Sequence, residues 1–163
     1  MNLVPLPGFR YVIALRDSSS LLDPRAAIGG ALVLAGGGFT ECSGLEMTLE
    51  TLDYPEGGVN SHVRRFPTRT KPSDIVLKRG MLYVSDLWVW IKRVSDGVYE
   101  RKDGMIVQLT YSGVPAQAWL FRRGLPLKWS GPTLNASQNA VAMESLTIAH
   151  EGLDQLGLSS TLV

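Results

Sequence analysis

A single cysteine, Cys42, is all the thiol this chain contains, which excludes an intrachain disulfide framework and argues against a zinc cluster. A reducing cytoplasm is the setting this implies. Net charge is scarce as well: 16 Lys and Arg against 15 Asp and Glu leave +1. Such a balance gives no global field for nucleic acid or anionic membrane, and little repulsion to keep copies apart. The chain also lacks a run apolar enough to cross a bilayer. Its most apolar window, Ala26 to Phe39, is shorter than the ~20 residues required, and Gly29, Gly30, Gly36, Gly37 and Gly38 interrupt it. Met1 to Arg10 lack the basic start and apolar stretch of a signal peptide, so synthesis in the cytoplasm as a soluble monomer, with no membrane partner, is expected. What is present is ordinary globular composition, 45% hydrophobic and 19% charged over 163 residues, enough for one domain, 1–163, with a sizeable core.

Strand signals dominate. Phe9 to Leu15 is aromatic and β-branched, after Pro5, Pro7 and Gly8. Asp17 to Pro24 reads as a polar loop, and Ala26 to Ala35 as a second strand or a packed loop. Phe39 to Tyr54 alternates with period two: Leu45, Met47 and Leu49 point one way, Glu46, Thr48 and Glu50 the other. Pro55 to Gly58 signals a turn, with Val59 to Phe66 returning as the partner strand. A basic stretch follows, with Arg64, Arg65, Arg69 and Lys71 broken by Pro67 and Pro72, and then a strand over Asp74 to Arg79. The one helix expected runs from Ser85 to Val94. Ser85 caps it, Asp86 suits its positive end, and Lys92 and Arg93 suit its negative end, with Gly97 as the stop. Leu87, Trp90, Ile91 and Val94 share one face of it and Trp88 points away, toward an edge or a subunit interface. Strands over Gly104 to Tyr111, Pro115 to Phe121, Leu127 to Trp129 and Ala140 to His150 complete a mostly antiparallel β-barrel or sandwich with one flanking helix.

No residue cluster assembles into an active site. Gly36-Gly37-Gly38 lacks the Lys-Ser/Thr of a phosphate loop and reads as a turn. Cys42 has only His62 and His150 as possible bases, with nothing tying either to it, and reads as a packed thiol. Glu46 and Glu50 have the residue type of a glycosidase pair, but two carboxylates on one strand face are ordinarily a solvated face or a subunit contact. Asn135-Ala136-Ser137 matches a glycosylation sequon that a chain without a secretion signal leaves inert. The basic stretch from Arg64 to Lys71 reads as a solvated or interface loop before a phosphate site. Trp88, Trp90, Trp119 and Trp129 read as core or interface before stacking platforms. No catalytic residue, metal ligand or cofactor site is assigned.

The order and spacing of several segments resemble the tail-tube proteins of contractile phage tails and extracellular contractile injection systems. The segments are Phe9 to Val12, Gly38 to Glu46, Tyr54 to Asn60, Ile75 to Gly80, and Leu87-Trp88 with its helix. Trp119, Phe121, Pro126 to Pro132, Leu134 to Ala136, and Glu144 to Gly152 complete the set. The resemblance spans nearly the whole chain. It departs from the family between Ser18 and Gly37, a longer and partly apolar insert.

The resemblance implies a small β-barrel with a helix on its flank, six copies to a ring, and rings stacked into a hollow tube that a contracting sheath drives through a target envelope. It implies self, sheath, baseplate and tube-terminating proteins as partners, and a toxin protein or DNA as lumen cargo. Assembly would be cytoplasmic, within a phage tail or an injection particle that can be released. Glu46, Thr48, Glu50, Arg64, Arg65, Arg69 and Lys71 become lumen or interface candidates, with Leu45, Met47 and Leu49 packed on the subunit's own barrel. Leu87, Trp88, Trp90 and Ile91 become helix core or interface. The alternatives are a baseplate-proximal tube initiator, a monomeric ligand-binding barrel, which should enclose an apolar pocket, and an enzyme such as a wall hydrolase, which needs a clustered acid, base or metal site.

Overall fold

The computed structural model describes residues 6–17, 38–58, 61–83, 85–137 and 139–157. Strands β1 (Tyr11–Asp17), β2 (Phe39–Ser43), β3 (Met47–Tyr54), β4 (Arg64–Pro72) and β5 (Ile75–Gly80) precede the helix α1 (Asp86–Ser95). After it come β6 (Lys102–Leu109), β7 (Pro115–Ser130), β8 (Met143–Ala149) and β9 (Gly152–Gly157). All pairings are antiparallel. Among the described residues, seven strands form one sheet, six of them along the path β1-β6-β7-β8-β5-β2 and β9 beside β7, while β3 and β4 pair only with each other. The path does not close, because β1 and β2 stand at its two ends. The fold is therefore an open sandwich-like arrangement and not the closed barrel that was the other expectation.

The Ala26 to Ala35 expectation lies outside the described residues. Elsewhere the sequence pattern is met at β1, β5, α1 and β6, with ends shifted by a residue or two. It is not met at β7. Pro115 to Phe121 and Leu127 to Trp129 are parts of one 16-residue strand. Its first half pairs with β6 and β9 and its second half with β8. The crossing point is Arg123, at φ 52, whose N–H donates to Asp103 Oδ1 at 2.7 Å. An irregularity of this kind lets one strand leave one sheet and enter another.

A second correction concerns Phe39 to Tyr54, which is two strands. Gly44, at φ +86, ends β2, and a Cβ there would lie 2.0 Å from the Asp74 carbonyl oxygen. The chain turns at this point out of the main sheet and into the β3–β4 hairpin. Gly44→Ala is expected to destabilise the fold by about 1–3 kcal/mol, from the strained backbone and the contact with another backbone segment. Urea melts of the purified variant measure this, and an unchanged midpoint would show that the corner is not constrained.

The core lies between the sheet layers and under the helix. Ile13, Ile75, Leu77, Leu87, Trp90, Ile106, Phe121, Leu146 and Ile148 form its buried cluster. Ala14, Met105, Val107 and Ala118 form a second cluster on the opposite side of β1, β6 and β7. Met105, Ile106 and Val107 are consecutive and all buried, as a strand covered on both faces requires. In α1, Leu87 and Trp90 are buried while Trp88 is about half exposed and packs on Trp129, ring centroids 4.7 Å apart. Ser85 accepts from the Trp88 N–H at 3.2 Å, and the helix closes as Val98 N–H reaches Arg93 O across Gly97 at φ +90.

Candidate functional site

Two features stand out from this frame: a hairpin that no other described strand covers, and a buried charge cluster that fixes the helix. The hairpin is formed by β3 and β4, in register from Met47↔Pro72 to Tyr54↔Arg64 with one bulge opposite Glu50. The basic stretch is β4 itself and not a loop. Pro67 sits beside the bulge and Pro72 at the strand end, on a ribbon with only one paired edge, where a missing N–H is tolerated.

Each basic residue but Lys71 finds a carboxylate in the same hairpin: Arg64 with Glu56 at 2.7 Å, Arg65 with Asp53 at 3.2 Å, and Arg69 with Glu50 at 2.9 Å. All are solvent-exposed pairs, individually worth ~0–1 kcal/mol, so they order the ribbon more than they stabilise the domain. Glu46 lies in the connection before β3, its Oε2 at 3.5 Å from the Ser73 hydroxyl. Glu46 and Glu50 thus have separate partners and do not converge as a catalytic pair.

Met47 and Leu49 do not pack on the subunit's own barrel, contrary to expectation. They are 55% and 56% exposed, and only Leu45 of that trio packs against the core. The inference failed because it treated the strand as part of the main sheet, whereas Gly44 turns it away. By register, Met47 and Leu49 lie on one face of the ribbon, while Leu52, Tyr54 and Phe66 share the other with Thr48 and Glu50. Tyr54 and Phe66 meet edge to face at 6.2 Å. Both faces therefore carry exposed apolar side chains, which is the mark of an interaction surface.

The buried cluster centres on Glu144, which with Arg79 supplies the buried charge of the core. Arg79 Nε donates to Glu144 Oε1 at 2.8 Å. Ser85 Oγ and Trp129 Nε1 donate to Oε2 at 2.5 and 2.9 Å. Arg79 also pairs with Asp86, and its guanidinium carbon lies 5.5 Å from the Phe39 ring centre. Burial pushes the Glu144 carboxyl up, but the donors from Ser85, Arg79 and Trp129 outweigh it and hold the group below its ordinary value. This cluster ties β5, β7, β8 and the cap of α1 together. The sequence does signal it: in Ile75, Leu77, Arg79 and in Glu144, Leu146, Ile148, the period-two alternation places a charge on the inward face.

The remaining candidates do not gather. Burial pushes the Cys42 thiol up to about 11, the reverse of an activated nucleophile. His62 bonds Ser61, and His150 bonds two backbone carbonyls. Asn135 accepts the Ser137 N–H in an exposed loop. An open hollow of about 440 Å³ is lined by Gly131, Leu134, Val141 and Met143, and a smaller one of about 130 Å³ by Tyr11, Cys42, Leu45 and Trp119. Neither is an enclosed apolar chamber. Among the described residues, no three His, Cys, Asp or Glu are grouped to hold a metal, and no helix is long and apolar enough to cross a membrane.

Solved structures share this fold. A chain of the anti-feeding prophage baseplate aligns at TM-score 0.79 and 22% identity, covering 96% of this chain and 98% of that one. A chain of the sheath–tube complex of the PVC extracellular contractile injection system aligns at 0.76 and 19%, covering 96% and 95%. Hcp1 from Flavobacterium johnsoniae aligns at 0.54 and 16%, covering 90% and 95%. No curated protein matches the sequence. The family model of the T4-like virus tail tube protein gp19 matches residues 9–154, nearly the whole chain. The chain belongs to the T4-like virus tail tube protein family, whose members are components of contractile phage tails and related injection particles.

Proposed function

We propose that this chain is a repeating structural subunit of the inner tube, six copies to a ring, with the rings stacked into a hollow conduit. The observation that carries this reading is the projecting hairpin with apolar residues exposed on both faces. A lone ribbon of this kind is an aggregation hazard unless a neighbouring copy covers it. Among the described residues, β1 and β2 likewise carry a strand on one side only. Contacts that close around an axis give a ring, and contacts that repeat along it give a filament. On this reading the partners are other copies, a sheath, a baseplate and a terminating cap, as in the complexes that hold the similar chains. The lumen would pass a toxin protein or DNA. Negative-stain microscopy of the purified protein is expected to show rings or rods. Monomers alone at every concentration, with particle components added, would count against the reading.

A second reading is a baseplate-proximal initiator of the tube, favoured by the alignment at 0.79 to the baseplate chain. Copies per particle separate the two: many for the repeating subunit, one ring for the initiator.

The face of the hairpin bearing Thr48, Glu50, Arg69 and Lys71 is assigned to the lumen or to ring contacts, together with Glu46, Arg64 and Arg65. Reversing Glu46 and Glu50 to Lys is expected to shift the melting of the isolated subunit by no more than ~1 kcal/mol, since Glu50 loses only an exposed pair. The same variant is expected to change lumen charge or to block stacking. Circular dichroism reads the first and imaging of assembled particles the second. Normal tubes with unchanged cargo passage would remove the assignment, and an unfolded monomer would place this face in the core.

A further inference from the structure

Strand β4 carries four cations, Arg64, Arg65, Arg69 and Lys71, all exposed. A basic stripe of this kind is the ordinary footprint of a nucleic-acid surface. Here three of the four come with their own counter-charge. Arg65 meets Asp53 at 3.2 Å, directly across the ladder. Arg69 meets Glu50 at 2.9 Å beside the bulge, and Arg64 meets Glu56 of the connecting turn at 2.7 Å. By register, Asp53 and Arg65 lie on one face of the ribbon, Glu50 and Arg64 on the other. Neither face therefore offers a bare row of positive charge, whichever way the hairpin is turned. Lys71, opposite Thr48, is the cation of β4 that meets no carboxylate among the described residues.

The effect lies in counterions. A nucleic acid sheds condensed cations when protein cations take their place, about 0.7 for each phosphate neutralised on a single strand. An arginine that brings its own carboxylate displaces none, because the phosphate meets the carboxylate as well. Exposed pairs add little to the stability of a fold. They still decide what a surface admits, since specificity is built from repulsion as well as attraction.

We propose that β4 is a latent nucleic-acid-binding strand, and that Glu50, Asp53 and Glu56 are the residues that keep nucleic acid off it. The ligand class is single-stranded nucleic acid, held through arginine–phosphate contacts once those carboxylates are neutralised. Where such hairpins line a conduit, as the reading above has it, a nucleic acid meets a wall that does not grip it. The masking itself is a property of the single subunit, so its failure leaves the tube reading standing.

The probe is a fluorescein-labelled oligothymidine, titrated with the full chain between about 50 and about 200 mM salt and read by anisotropy. Wild type is expected to bind weakly, with a shallow dependence on salt. Glu50→Gln/Asp53→Asn/Glu56→Gln frees three arginines, so the slope of log K against log salt should steepen by about 2. Across that salt range this is a roughly twentyfold greater loss of affinity. Two further variants separate the strand from net charge. Adding Arg64→Gln/Arg65→Gln/Arg69→Gln to the triple variant should abolish the gain. Adding Arg101→Gln/Arg122→Gln/Arg123→Gln instead, which removes the same charge elsewhere in the domain, should keep it. An unchanged slope in the triple variant overturns the proposal. So does tight, steeply salt-dependent binding by wild type, or a gain lost equally from both larger variants. Should the triple variant not fold, Glu56→Gln alone, in the turn, should add about 0.7 to the slope, and no change there is equally fatal.

Discussion

Glu144→Ala is expected to lower the stability of the isolated subunit by about 3–5 kcal/mol, a drop in melting temperature on the order of 10 °C for a domain of this size. The reason is what the substitution leaves behind. Arg79 would stay buried with only Asp86 as partner, and Trp129 Nε1 and Ser85 Oγ would lose their acceptor. The Arg79→Met/Glu144→Leu double variant should cost less than Glu144→Ala, because it removes both charges and leaves neither stranded. A double variant as damaging as the single one would show that packing and not charge dominates the site. The cluster also predicts an acid limb. Folding holds the Glu144 carboxyl below its ordinary value, so its contribution is present above that value, about 4.3, and is lost as pH falls through the folded-state value. In Glu144→Gln this part of the acid sensitivity should vanish. An unaltered pH–stability profile in that variant would argue against the role given to the carboxylate.

Trp90→Ala is the other large effect, with about 3–5 kcal/mol expected. Trp90 is almost fully buried among Leu87, Phe121 and their neighbours. Its Nε1 donates to the Glu100 carbonyl oxygen at 2.9 Å, and Lys102 Nζ sits 5.5 Å from its ring. The substitution therefore opens a cavity and strands a carbonyl together. Trp88→Ala, two positions earlier, is a control. Its ring is half exposed and meets Trp129 across one side only, so the loss should be ~1 kcal/mol. Denaturant melts of both variants decide the matter. If Trp90→Ala unfolds no more readily than wild type, or Trp88→Ala costs as much, the helix face is assigned wrongly.

Where local chemistry decides structure, the sequence is readable. Ser85, the 87/90/91/94 spacing and Gly97 define α1 because caps and helical periodicity are short-range effects. Alternation in Ile75 to Arg79 defines β5 in the same way. Where a distant partner decides, the reading fails. Pro115 to Phe121 and Leu127 to Trp129 read as two strands, but Asp103 on the neighbouring strand accepts the Arg123 N–H and the strand runs on without a break. Pro67 looks like a breaker, yet the strand runs past it because the ribbon has a free edge. Leu45, Met47 and Leu49 alternate faultlessly, but alternation names two faces without saying whether anything covers either. Arg79 and Glu144 lay in view on inward positions, 65 residues apart, and only the pairing of β5 with β8 brings them opposite each other.

The unbroken course of β7 has a mechanical side. Its two halves are bonded to β6 and β9 at one end and to β8 at the other, so no loop intervenes between the two halves of the sheet. A pull directed along this strand loads its hydrogen bonds in shear, many at once, where a pull across it would peel them singly. A load along the axis of β7 is therefore shared among the bonds of three neighbouring strands at once.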